Sequence, residues 1–460
     1  MSRWQLVALT LSSFVPAVGI ASFPVLLIGP AGYGSWMAAL ISAVAGFCIG
    51  RTVIVFARRY VSAGSLASYM VEVFDPWARA ATAASLFLGY LGQLMCSIVL
   101  FAMYTISFAT SLGMASAGDP PMMIGLFVLA AAVPAAVACR GLDTSVRIAV
   151  RLAVISVPLL LFVSGASAVH TGLELGRQLT MEGSSVSGIV VGLAAGAAWL
   201  VSFESAASLA TETSDPKRNV PTAVMAWPVV LGTTYLLVTF LQVPGLMAST
   251  DALEAGKSAP AALAESAGLA ENVGRLTDIV LAVAVFASLI GFVNYASRVT
   301  MSLSQDGLLP SGLRAINARV GTPVNAILLN VGLSAGILIA TVLISPNAIF
   351  TVYAAVATLT VYFWVLPYIL VGIGAVVFLM RLNKLTVGVV ISAVIGIVTM
   401  AWLFVNSIIN PPESPIDVMT YVAVIAVAVL GSAFHLADSR ARRATARTHR
   451  HRYIHDATNP

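Results

Sequence analysis

The chain has 460 residues, of which 59% are hydrophobic and 9% charged; an ordinary soluble domain carries about 25% charged residues. That composition excludes a water-soluble globular protein and leaves a polytopic membrane protein. The net charge of +5 does not point to nucleic acid, because it follows from where the arginines fall relative to a bilayer. The apolar runs are continuous and about 20 residues or longer, the length that crosses a bilayer as a helix. They lack the short alternating pattern of barrel strands, so the fold class is all-α.

No charge lies between Arg3 and Arg51. This stretch predicts two spans, divided at Gly29-Pro30-Ala31-Gly32-Tyr33-Gly34. The first is read as a retained span, since it has neither the length limit nor the small-residue cleavage site of a signal peptide. It contains Pro16 and Pro24 with Gly19 between them, a pattern that removes backbone donors and predicts an interrupted helix. Further spans are expected near 80–113, 121–139, 148–169, 188–210 and 221–246, then an outer loop over 247–275. The last five are expected near 276–304, 322–344, 348–379, 385–408 and 417–437, twelve in all. A basic tail, 438–460, carries six arginines together with His449, His451 and His455. It reads as a disordered topogenic tail on anionic lipid, or as a pH-dependent plug over the inner mouth.

The basic residues test this count. With both termini and the loops after even spans on one side, 21 of the 24 Lys and Arg residues fall on that side, and Arg177, Lys257 and Arg275 on the other. Positive charge accumulates in cytoplasmic loops, so both termini are expected in the cytoplasm and the protein in the plasma (inner) membrane. Cys48, Cys96 and Cys139 sit in or at the end of spans, without metal-ligand spacing, and read as small packing residues.

Glu204 stands in the apolar run from Ala194 to Ala210, and no other charge occurs from Gly183 to Thr211. A carboxylate at that depth is costly and marks a solute or proton path; the alternative is a structural glutamate tying two helices together. Small residues, Ala194 to Ala198, precede it and predict a second interruption, in span six. Interruptions in spans one and six occupy corresponding positions in two five-span repeats, the sequence pointer to a transporter with inverted repeats. The expected organisation is a first repeat over 1–170, a second over 171–380, two peripheral helices over 381–437, and the tail. Opened helices free amides that hold a carboxylate and carbonyls that accept from an ammonium, so a zwitterion fits without charged side chains.

Three segments carry a family resemblance. They are Gly19-Ile20-Ala21-Ser22-Phe23; Ser202-Phe203-Glu204-Ser205-Ala206 with the trailing Asp215-Pro216-Lys217-Arg218-Asn219-Val220-Pro221; and Ala296-Ser297-Arg298 with Asp306-Gly307-Leu308-Leu309-Pro310 and Gly321-Thr322-Pro323. In these the chain resembles the amino acid–polyamine–organocation transporters, with the last segment similar to that family's loop after helix eight. The resemblance implies the leucine-transporter fold, five plus five inverted helices and two peripheral ones. It also implies that amides around Gly19, Ile20, Ala21 and Ser22 receive a substrate carboxylate, that carbonyls around Ala198 and Val201 take the amino group, and that Trp199 and Phe203 form an aromatic gate. Phe292 would be an aromatic pocket wall. Two positions depart from the pattern: Ala21 and Ser202 stand where the family has glycine.

Where some proton-coupled relatives carry a Lys in helix five, this chain has Ser156, whose hydroxyl can ligate sodium. Glu204 is the deeply placed carboxylate for proton traffic, so proton symport, sodium symport and exchange all stay open, with proton coupling favoured by family habit. The expected partners are an amino acid or related amine, a proton or sodium ion, and lipid, with no cofactor and no nucleic acid. A pocket lined by Ala, Val, Phe and Trp favours neutral, apolar substrates, moved by a secondary transporter. An intramembrane enzyme would need a catalytic set. The five histidines, His170, His435 and three in the tail, stand far from Glu204 in sequence and form none. A nutrient sensor that binds without transporting is the remaining alternative.

Overall fold

The computed structural model describes the backbone of residues 1–254, 257–345 and 348–456 and, within them, the side chains of all but 198, 254 and 441–456. Among the described residues it is helical and contains no strand. The first expected span is two helices, α1 (Arg3–Ser13) and α2 (Pro16–Ala31). Ser2 and Gln5 close a capping box on α1, which satisfies two orphan amides at its start. The chain turns at Gly32–Gly34 into α3 (Ser35–Ala57), then α4 (Ser65–Met70), α5 (Pro76–Ser111), α6 (Pro120–Ala138) and α7 (Leu142–Thr171). Pro76 and Pro120 open their helices at the position where the missing N–H costs nothing.

After the short α8 (Leu175–Leu179), α9 (Val186–Ala195) runs into a 3-10 turn over Gly196–Leu200 and a second 3-10 segment over Phe203–Glu212. Next come α10 (Pro216–Ala226), a π turn at Trp227–Leu231, and α11 (Gly232–Met247). The expected outer loop contains two short helices, α12 (Thr250–Glu254) and α13 (Ala259–Ser266). The remaining helices are α14 (Glu271–Gln305), α15 (Val324–Ile344), α16 (Ile349–Arg381), α17 (Val387–Ile409) and α18 (Met419–Asp456). Ala296, Ser297 and Arg298 therefore lie inside α14 and not in a loop after it.

Ten stretches among the described residues are long and apolar enough to cross a membrane; the first, Arg3–Ala57, is 55 residues long, and Val186–Ala195 is a shorter apolar helix. Side chains such as Ile155, Val154, Ile344 and Val387 lie exposed on the outside of the bundle, as a bilayer-facing surface requires. At the centre is α5, which packs against α14, α16 and α18, while α2 packs against α9 and α11.

Two buried glutamines repair what prolines open. Pro24 lacks the N–H that the Ile20 carbonyl would receive, and Gln242 of α11 supplies it with its Nε2 at 2.9 Å while also donating to Ser164 of α7 at 2.8 Å. Likewise Gln178, fully buried, donates to the Phe240 carbonyl at 3.0 Å, which Pro244 leaves free.

Candidate functional site

Both expected interruptions are present, each displaced from its expected place. In the first span the helix breaks at Phe14 and Val15, ahead of Pro16, with Val15 at φ 40°. The physical reason is local. Pro16 is preorganised for a helix start, Ala21 favours helix over the glycine it replaces by about 1 kcal/mol, and Gln242 compensates Pro24. Gly19, Ile20, Ala21 and Ser22 are consequently inside α2 and buried. In span six the small-residue run continues as the 3-10 turn, and the break follows it at Val201, extended, and Ser202, left-handed at φ 64°.

A cavity of about 40 Å3 lies against the first break. It is lined by Ser13, Phe14, Val15 and Val18, by Gln93, Cys96, Ser97 and Leu100 of α5, by Trp199, by Val285 and Ser288 of α14, and by Tyr353 and Thr360 of α16. No charged side chain is among them. Ser97 and Ser288 pair through their hydroxyls at 3.1 Å, and the Cys96 Sγ lies 3.4 Å from the Thr360 hydroxyl. Val18 and Gly19 N–H groups both donate to the Val15 carbonyl, at 2.8 and 3.2 Å.

Of the residues expected from the sequence, Trp199 lines this cavity. Phe203 and Phe292 are packed away from it. Phe203 stacks on Trp227 at 5.3 Å and Phe292 meets Phe14 edge-on at 5.5 Å. Gly19 lies where Tyr235 crosses, and a Cβ there would come within 2.1 Å of the tyrosine oxygen. The Ser22 hydroxyl shares a hydrogen bond with Tyr104 of α5 at 2.7 Å. Val201 is fully buried. The side chain of Ala198 lies outside the described residues, as do the tail histidines. Ser156 is buried and donates to the Ala153 carbonyl at 2.9 Å, one turn back on its own helix.

Glu204 is completely buried. One carboxylate oxygen accepts from the Tyr368 hydroxyl of α16. That hydroxyl accepts in turn from the Ser202 N–H at 2.8 Å, so the second break and the carboxylate share one tyrosine. The other oxygen, Oε1, is buried without a partner among the described residues. Tyr90 donates to Ser205, the residue after Glu204, at 3.0 Å. A column on α16 joins this cluster to the cavity, running from Thr360 in the lining through Trp364, which tilts against Tyr368 at 5.8 Å.

The arginine-rich end of the bundle is fastened by ion pairs. Arg298, fully buried, holds Glu212 through Nε at 2.8 Å and Nη2 at 3.3 Å and Asn294 at 2.9 Å. This two-pronged geometry is the strong form of the pair. Ser214 donates to the Met1 carbonyl from N–H and hydroxyl, each at 2.9 Å, and Arg79 meets Asp306 at 2.6 Å.

The lining residues on α5 and α16 were not singled out in the sequence, although a signal for them was there. Tyr90, Gln93, Ser97 and Tyr104, and then Tyr353, Thr360, Trp364 and Tyr368, recur at three-, four- and seven-residue steps within apolar helices. That spacing is one helical face.

A bundle of apolar helices, two of them interrupted, defines a polytopic membrane protein. The chain belongs to the amino acid permease family, whose profile matches residues 1–431. It is also similar to the putrescine transporter PotE of Escherichia coli (strain K12) and its counterpart in Escherichia coli O6:H1, each 27% identical over 168 residues, or 36% of this chain and 37% of theirs. The chain thus spans little more than a third of the length of these relatives.

Proposed function

We propose that this permease moves a neutral amino acid or a closely related amine across the plasma membrane by alternating access, coupled to protons. The observation that carries the substrate class is the cavity at the first break, whose lining mixes hydroxyls and the Gln93 amide with apolar side chains and holds no acid. A zwitterion is matched there by backbone ends. A diamine asks for a second carboxylate, so the putrescine named for the relatives is the second reading. Proton coupling is supported by Glu204, with one oxygen on Tyr368 and one unpartnered. Sodium is the second reading for the coupling ion: the Ser156 hydroxyl donates to the Ala153 carbonyl, and its oxygen can still ligate a cation.

The same reading takes the bundle as twelve spans. The 55-residue stretch counts as two, and Val186–Glu212 is added to the other nine. Spans one to five, through about residue 170, and six to ten, through about 380, form the repeats, with the interruptions in corresponding spans and both termini in the cytoplasm.

Uptake by purified protein in liposomes tests the proposal, with pooled labelled amino acids and diamines under an imposed proton gradient and then a sodium gradient. Accumulation of a neutral amino acid under the proton gradient is expected, and its loss in Glu204→Gln. Diamine accumulation, or uptake by Glu204→Gln with an unchanged pH profile, overturns the substrate class or the proton route respectively.

A further inference from the structure

Away from the site, a groove of about 800 Å3 runs between α5, α16, α17 and α18. Its walls are apolar, among them Leu366, Ile369, Phe404 and Val424, and along α18 it extends from Ala423 to Leu436. At 1.5 Å per residue that is about 20 Å, close to the roughly 15 Å of hydrocarbon in one leaflet. Apart from Tyr362 on α16, its polar side chains are Trp77 at the start of α5, and Ser432 and His435 on α18. Trp77 and His435 are exposed at one end, and an amphipathic indole favours the headgroup level.

Charge at that end is mixed, with exposed Asp75 at the start of α5 and exposed Arg440 on α18. Arg79 is held by Asp306 and Asp438. Beyond them Arg440 is exposed, and the sequence from Arg440 to Arg452 holds six arginines and no acid. An acyl chain fits the depth and apolar wall, and an anionic headgroup fits the mouth where His435 and Arg440 are exposed.

We propose that this groove holds one resident anionic phospholipid, drawn from the leaflet at the arginine-rich end, with an acyl chain between α16 and α18 and its phosphate beside His435 and Arg440. The occupant belongs to the folded transporter and bridges α18 to the core helices α5 and α16.

The test is native mass spectrometry of the full chain in detergent, with thermal melts after adding phosphatidylglycerol or phosphatidylcholine. The expected result is a phospholipid-mass adduct on the wild type, a larger rise in Tm with phosphatidylglycerol than with phosphatidylcholine, and loss of both in Ala428→Trp, which fills the groove. Val424→Trp, deeper in the groove, repeats the loss if the first variant folds poorly. Val154→Trp, on a bilayer-facing turn of α7, keeps the adduct. Absence of an adduct on the wild type, or an equal adduct in both groove variants, overturns the site. Equal responses to the two lipids overturn the anionic headgroup. A disulfide between two copies through Ala428→Cys, in a background without the native cysteines, shows that a second copy covers the groove and overturns the lipid.

Discussion

Ser202 sits at the second break, in the stretch that precedes Glu204. In sequence it is a serine where related transporters have glycine. In the structure it has φ 64° and a buried hydroxyl without a partner. Left-handed backbone costs an L-residue roughly 1–2 kcal/mol, and a glycine returns part of that through its freer unfolded state. Ser202→Gly is therefore expected to stabilise the fold by about 1 kcal/mol, read as a higher Tm. An unchanged or lower Tm would show that the backbone there is relaxed. Gly19 is the opposite case. An added methyl meets Tyr235 Oη at 2.1 Å and Cζ at 2.2 Å, and that ring is held between Phe23 at 5.4 Å and Trp199 at 5.6 Å. Gly19→Ala should cost about 1–3 kcal/mol, as overpacking does. Tyr235→Leu should rescue it and Tyr235→Phe should not, because the ring carbon clashes as well as the hydroxyl; rescue by both would sink the steric account.

At the scale of elements, the interrupted helices depend on partners far away in the chain. Gln242 closes the carbonyl that Pro24 opens in α2 and ties in α7 as well. Removing it in Gln242→Leu leaves a buried carbonyl unsatisfied, at about 1–3 kcal/mol. Replacing Pro24 by Ala restores the intrahelical donor, so the two changes together should cost less than the sum of each alone. Additive costs in this double-mutant cycle would mean that Gln242 serves some other contact. This dependence also explains what could be read in advance. Apolar length made the spans legible, and Glu204 was legible because no other charge stands near it. Prolines announced an interrupted helix but not where, since Pro16 starts a helix as readily as it ends one and the compensation for Pro24 arrives from more than 200 residues away. The faces of α5 and α16 were missed because their polar residues are spread thinly along long apolar helices, where a stripe is visible only once the step of three and four is followed.

The molecule as a whole is fastened at its arginine-rich end by Arg298 and Glu212, and by Ser214 on Met1. Arg298 is buried while Glu212 is partly exposed, so removing the glutamate leaves a buried guanidinium unpaired and destabilises the contact it holds. Cys96 in the cavity lining reports the result. With Cys48 and Cys139 replaced by Ser, Glu212→Gln should raise the rate at which a membrane-impermeant thiol reagent modifies Cys96 from the arginine-rich side, and transported substrate should slow it. Equal rates in the two proteins would show that these contacts do not control access. The Glu212–Arg298 pair could not be read in the sequence, because it joins residues 86 apart.

Because no charged side chain lines the cavity, its walls drag no fixed charge through the membrane field as the protein rearranges. A zwitterion riding in it adds none. Each coupling ion, by contrast, is worth about 2.3 kcal/mol per 100 mV. For such a substrate the current crossing the bilayer is a direct tally of coupling ions, and dividing the charge moved by the labelled molecules delivered yields the stoichiometry.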